Sequence, residues 1–555
     1  MRALPAQGQG FDVLVIGGGI NGMAIARECA RHGKRVLLVE QNDFASGVTS
    51  RSTRIIHGGL RYLELGEISL VRESLREREL LLRQSPHLVR AQQFLLVMPG
   101  ESRSFLRSSL AIRTGLWLYH RWAGGQRSAA ADVTTLEKQL DAGKRWSIYS
   151  YEDAQCEFPE RLVAEWLVEA VDSGAVVRNH TKVLAVTKSN GRATGARLRD
   201  EISRQEYEIA ATSIINATGP WADLVAGASG IKTARMIGGV RGSHLVLPRF
   251  KGAPQNPVYT EAVDGRPIFV IPWNQQIMVG TTEVSDSAAP DTTAPTADEI
   301  TYLFNSFTGI FPHSGLTAAD VRYAFAGVRP LPYAPDKKYS SVTRRHILHD
   351  HKDDGAAGMI SIIGGKLTTA TSLARDVARK LGINVPDPVN VFAAPVPDDG
   401  VESSVRQWSR AVASKARIRE DCAQGIAEWH GRHALAVAHA ASLDEHLREP
   451  ICAHSCHLVA EAVEAVAHEC AITLGDILLR RVPVALGPCW SADCSREAAE
   501  KIGVAVGWDR ERIHQELDRF EEERTAFLHP KYVPHEAGAA SPCAQQAATL
   551  KTGSE

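Results

Sequence analysis

Three glycines, Gly17, Gly19 and Gly22, stand at G-x-G-x-x-G spacing near the start of the chain, and an acid, Glu40, follows them. At that spacing the first glycine permits a tight turn, the second lets a pyrophosphate approach the backbone, and the third lets a helix pack closely on a strand. The helix N-terminus beyond the turn directs partial positive charge at the phosphates. Glu40 is placed to accept hydrogen bonds from a ribose diol, and its charge disfavours a 2′-phosphate, so NADP is not expected. Gly18, Asn21 and Gln41 fall within reach of the same nucleotide. This is dinucleotide chemistry, and the fingerprint alone does not separate NAD from FAD.

The elements around the fingerprint are the ones it needs. Phe11 to Ile16 is a short apolar, β-branched run, as expected of a strand buried on both faces. In the helix that follows, Met23, Ala26, Cys29 and Ala30 share one face. Arg35 to Val39 is a second strand ending at Glu40, which completes a βαβ unit of about 30 residues. Two later segments repeat the strand-then-glycine pattern: Ser213–Asn216 before Ala217, Thr218 and Gly219, and Met359–Ile363 before Gly364 and Gly365. Between them, residues 235 to 285 alternate and are rich in Val and Ile, which predicts an antiparallel sheet.

Further loops favour a flavin. Thr49, Ser50 and Ser52 lie in a hydroxyl-rich run suited to a ribityl chain or diphosphate. Gly364 and Gly365, with Leu367 and Thr368 at the following helix, can aim backbone N–H groups at a flavin pyrimidine edge, where negative charge gathers on reduction.

Residues 55–64 read IIHGGLRYLE, and the chain also carries VIGGGINGMAIA, TSRSTRIIHGGLRYLE, NATGPW, RGSH, FVIPW, GTTE, GVRPL and GGKLTT, in that order, across about residues 11–380. In these motifs it resembles the FAD-dependent, respiratory, quinone-linked glycerol-3-phosphate dehydrogenases. GTTE in place of GTTD, RGSH in place of KGSH, and Arg54 in place of lysine depart from the family pattern while conserving charge. The resemblance implies an α/β fold: a Rossmann-type FAD-binding domain (11–85, 160–225 and 325–385) and an antiparallel-sheet substrate domain (86–159 and 226–324), as in amino-acid-oxidase-like flavoproteins. An α-helical C-terminal domain (395–530), in which DILLRR looks like the family's cap, and a disordered tail (535–555) complete it. It adds Gly58 and Gly59 to the cofactor's contacts.

The implied reaction oxidises sn-glycerol 3-phosphate to dihydroxyacetone phosphate and passes the electrons to a membrane quinone. It requires an anchor for a phosphate dianion, for which Arg61, Arg329 and Lys366 are the candidates beside glycine and proline turns. Tyr62 either hydrogen-bonds substrate or packs. For the base, imidazole titrates near neutrality; His244 is preferred, with His57 near the isoalloxazine. An oxidase using O2, an amine or amino-acid oxidase, and a flavin-bearing sensor without turnover are the alternatives.

Composition narrows the partners. With 44 % hydrophobic and 23 % charged residues and a formal net charge of −1, the chain has no global field to recruit nucleic acid. Nine cysteines, seven of them after residue 420, form no regular disulfide framework. Cys452-Ala-His454-Ser-Cys456-His457 has the composition of a ligand run, but no second pair follows at zinc-finger spacing, so no metal is expected. Residues 103–127 interleave five arginines with Trp, Tyr and Leu and carry no acid, as an interfacial helix at an anionic membrane surface requires. The expectation is a cytoplasmic protein, peripherally bound to the inner face of the cell membrane; a homodimer is compatible with it.

Overall fold

The computed structural model describes residues 10–64, 66–100, 109–123, 128–286, 290–337, 339, 342–388 and 400–529. The tail expected to be disordered lies outside them.

Two sheets and a helical layer make up the fold. The first sheet runs Ile347–Asp350, Met359–Ile363, Glu206–Asn216, Gly10–Ile16, Val36–Val39, Val176–Arg178, with the Thr181–Ser189 and Arg192–Asp200 hairpin on its margin. The pairs at its centre are parallel, with Val13 opposite Val36 and Ser213. Such strands are buried on both faces, which is why Leu14, Val15, Leu37 and Leu38 are fully enclosed. Helix Ile20–Arg31 covers one face, and the Met23, Ala26, Cys29, Ala30 stripe is buried as its spacing predicts.

The second, nine-stranded sheet is antiparallel except where Val258–Glu261 lies parallel to Val89–Pro99. Its centre is the alternating region, with Val240–Pro248 between Gln276–Gly280 and Tyr323–Arg329. Residues 325–329 and Ile55–Ile56, expected in the FAD-binding unit, lie in this second sheet. Tyr323–Arg329 pairs along its whole length with Val240–Pro248, and Ile55–Ile56 pairs with Trp146–Cys156. Both sequences are short apolar runs that fit either sheet; only long-range pairing decides between them.

The C-terminal helices pack on both units. In helix Val459–His468 the buried residues are Val459, Ala460, Glu461, Ala462 and Ala465, while Val466 is exposed. Glu461 turns inward because His430 and His457 bond its carboxylate at 2.8 and 2.9 Å. Thr473 and Asp476 form a capping box, and the residues that follow, Ile477–Arg481, wind as a π-helix. Among the described residues no helix is long and apolar enough to cross a membrane.

Candidate active site

A cavity of about 710 Å³ opens at the C-terminal ends of the parallel strands, where ligands bind in open α/β sheets. Its floor is the glycine turn. Gly17 has φ +103°, a conformation that strains any side chain. A Cβ on Gly22 would stand 1.8 Å from the Gly17 carbonyl oxygen, so the third glycine is there for helix-on-strand contact. A Cβ on Gly19 would meet only the Thr49 hydroxyl, at 3.4 Å, and this position faces the cavity. Thr49 Oγ1 accepts from the Ile20 N–H at the start of the helix at 3.0 Å. The hydroxyl run therefore lies where a phosphate would meet the helix terminus.

Glu40 accepts from the Gly18 N–H at 2.7 Å and the Asn42 N–H at 3.0 Å, which fixes its carboxylate at the end of the second strand. Burial raises its pKa above the ordinary carboxylate value. Asn21 Oδ1 is buried with no hydrogen-bond partner beside Gly365, itself at φ +95°. An orphaned acceptor next to a glycine cradle fits a dinucleotide carrying donors of its own.

Of the expected contacts, Gly17, Gly19, Asn21, Glu40, Gln41, Thr49, Ser50, Ser52, Ala217, Thr218, Gly219, Gly364, Gly365, Lys366 and Leu367 line the cavity. Gly18, Gly22, Gly58, Gly59 and Thr368 lie behind its wall. The Gly58 N–H donates to Tyr119 Oη and Asp153 Oδ1, and a Cβ there would collide with Leu75 and Tyr119 at 2.4 Å. Gly59, at φ +80°, makes room for the Tyr62 ring. Thr368 Oγ1 accepts from the His57 N–H. These residues pack closely around the site. Ser50 is on the wall, although its hydroxyl donates to the Ala45 carbonyl oxygen at 2.7 Å.

Of the three expected cations Lys366 lines the cavity, and Arg329 is not among the lining residues but precedes Pro330, which is. Gly364 N–H donates to the Pro330 carbonyl oxygen, which joins Arg329 to the Gly364–Lys366 turn. Arg329 donates to Thr281 Oγ1 at 2.9 Å and to the Thr282 carbonyl oxygen at 3.3 Å. Lys366 Nζ stands 4.0 Å from the centre of the Tyr62 ring and 3.4 Å from Ser74 Oγ. Arg61 begins the helical turn Arg61–Glu64; its side chain lies outside the described residues.

Both histidines, His244 as the preferred base and His57 expected near the isoalloxazine, are shifted below neutrality. His244 is buried, stacked on Phe325 at 5.0 Å, with Nε2 2.9 Å from Thr53 Oγ1 and Nδ1 unpartnered. Burial, then the charges of Arg329 and Arg54, push it down to about 3. Burial and Lys366 push His57 down to about 3 as well. Lys366 is the group brought near neutrality: burial lowers it to about 7. Arg54 is held away from substrate chemistry, paired through both guanidinium nitrogens with Glu160 at 2.8 and 2.9 Å.

Sequence reasoning passed over three features. Arg51, inside the hydroxyl run, lines the cavity with its Nε buried and unpartnered. The helical domain supplies a wall of its own, including Thr473, Arg480 and Phe527. Asp43, just past Glu40, accepts from both arginines of DILLRR, with Arg481 at 2.7 and 2.8 Å. The neighbouring Asp476 bonds His180 at 3.0 Å. The available signal was an acid beside the nucleotide loop and paired arginines late in the chain, without a spacing to connect them.

Comparison with known proteins agrees with this geometry. Residues 12–379 match the family of FAD dependent oxidoreductases, and residues 394–513 match the C-terminal domain of alpha-glycerophosphate oxidase. A glycerol-3-phosphate dehydrogenase of Synechocystis sp. is 36 % identical over 96 % of this chain and 100 % of its own length. The aerobic glycerol-3-phosphate dehydrogenase of Bacillus subtilis is 29 % identical over 95 % and 96 %. The crystal structure of the glycerol-3-phosphate dehydrogenase from Bacillus halodurans complexed with FAD superposes with a TM-score of 0.74 at 25 % identity, covering 95 % of this chain and 97 % of that one. With its dinucleotide cradle, the lysine on its cavity wall and its helical wall accounted for, the chain belongs to the family of FAD-dependent glycerol-3-phosphate dehydrogenases.

Proposed function

We propose that this enzyme oxidises the secondary alcohol of sn-glycerol 3-phosphate to dihydroxyacetone phosphate and passes the electrons to a quinone in a membrane. The observation that carries the reading is one cavity with a glycine cradle at one end and Lys366, linked through Pro330 to Arg329, at the other. FAD bound along the cradle supplies the two-electron acceptor for the hydrogen on the alcohol carbon. Arg329, oriented by Thr281 and Thr282, offers a planar fork to the phosphate. Lys366 takes the hydroxyl proton on Nζ, because a lysine near 7 is substantially free amine at neutral pH. His244 and His57 remain neutral; they hydrogen-bond and orient rather than carry charge.

Docking on the inner face of the cell membrane is supported by one side of helix Ser109–Ala123. Leu116 and Tyr119 are buried in the protein, whereas Trp117 is 65 % exposed with exposed Arg113 and Arg121 four residues to either side. That is a narrower interfacial face than the whole segment promised; its ends lie outside the described residues.

Anaerobic titration with sn-glycerol 3-phosphate tests the chemistry. The flavin band bleaches with this substrate and stays unchanged with glycerol or lactate; bleaching by the unphosphorylated controls defeats the reading. Turnover that yields peroxide and leaves a quinone analogue unreduced would reassign the acceptor to O2.

A further inference from the structure

The ligand run at residues 452–457 lacked a partner pair at zinc-finger spacing, and the fold provides one from farther along the chain. Cys452 and His454 lie in the loop before helix Val459–His468, and Cys494 in the first turn of helix Ala492–Ala505. His454 Nδ1 is 3.4 Å from Cys494 Sγ, and the ligand atoms of Cys452, His454 and Cys494 all lie within 4.8 Å of one another. A tetrahedral zinc with bonds of about 2.3 Å to sulfur and 2.0–2.1 Å to nitrogen sets such neighbours roughly 3.6 Å apart. A fourth thiol is close by: Cys489 Sγ is 4.0 Å from the His454 carbonyl oxygen, and Cys494 Sγ is 3.6 Å from the Cys489 carbonyl oxygen.

The surroundings are those of a thiolate centre. Ser491 caps the helix and accepts from the Cys494 N–H, which holds that residue in the first turn, where the helix dipole favours a thiolate. The Ser491 hydroxyl donates to Cys494 Sγ at 3.4 Å. Cys452 and Cys494 are buried while His454 is exposed, so the site is built from inside yet open to solvent on one side. His457 is not available to it, being stacked on Trp429 and bonded to Glu461.

We propose that Cys452, His454, Cys489 and Cys494 bind a structural zinc ion in the helical domain. Closing the thiolates around the metal requires a side-chain adjustment of Cys489 and loss of the thiol protons to water. The ion would fasten the loop ending at Cys489, whose Leu486 carbonyl oxygen accepts from Gln276 and Tyr323 of the substrate sheet at 2.9 Å. Zinc thereby secures the helical domain to the sheet that bears His244 and Arg329, and takes no part in the redox step.

Elemental analysis of the full-length flavoprotein, purified without chelator, gives roughly one zinc per chain, the stoichiometry of a four-ligand site. Cys494→Ser and His454→Ala lose the metal and lower the unfolding midpoint, with flavin content retained. Cys456→Ser, outside the set, keeps the metal. Should the variants fail to fold, cobalt added to chelator-treated native enzyme gives tetrahedral d–d bands on the long-wavelength side of the flavin. Zinc-free protein that yields no such bands, a Cys452–Cys494 disulfide in peptide maps of the native enzyme, or metal lost from Cys456→Ser and kept in Cys494→Ser would each overturn the proposal.

Discussion

Two regions wall the same cavity by opposite means. The N-terminal turn does so with backbone: glycines at 17, 19 and 22 remove side chains so that strand, helix and ligand approach closely. The helical domain does so with buried charge: Arg480 and Arg481 converge on Asp43, and Asp476 on His180. The first arrangement is local and sterically unforgiving. The second joins residues more than 400 positions apart and depends on each ion having its partner, because a buried charge left alone is expensive.

The largest effect is expected where charge is buried. Asp43→Asn leaves two enclosed guanidinium groups short of a carboxylate and lowers stability by about 3–5 kcal/mol, read by urea unfolding. Flavin binding by the protein that remains folded persists; an unchanged midpoint would mean the helical wall is not held by this pair. Gly22→Ala comes next. Its Cβ has no space, and overpacking costs about 1–3 kcal/mol, with flavin lost from the purified protein. A fully yellow Gly22→Ala enzyme would show that the turn can yield.

Lys366 sharpens the comparison at the far end of the cavity. It is protonated below about 7, so a base at this position loses activity as pH falls through that value. kcat/KM drops about tenfold per pH unit on the acid side, and Lys366→Arg abolishes the limb with the activity. A rate that instead declines above 7 would return Lys366 to the phosphate-anchoring role. The smallest effect belongs to Thr49→Val, which deprives the Ile20 N–H of its acceptor and costs the apoprotein about 1 kcal/mol. Added flavin narrows the deficit, and a difference that persists at saturation would place Thr49 away from the phosphates.

Legibility followed the range of the interaction. The cradle, the first strands and the buried stripe of the first helix could be read because a fingerprint and a period of 3.6 residues are local signals. The packing of Gly58 against Leu75 and Tyr119 was not legible, because those side chains come from other helices. The burial of Glu461 in helix Val459–His468 was not legible either, because its partners His430 and His457 lie on other segments. For the histidines, side-chain type gives only an ordinary pKa, and burial lowers both His244 and His57 from it.

By itself the sequence determined that a dinucleotide would be held on a βαβ turn, that an antiparallel sheet would stand beside it, and that cations in glycine and proline turns would be available for an anion. Tertiary structure decided which sheet owned Tyr323–Arg329, which cation sat near neutrality, and which acid the late arginines would find. The physical reason is that steric permission at a glycine is a property of neighbours in the chain. Desolvation and ion pairing belong to neighbours in space, and no spacing along the chain encodes them.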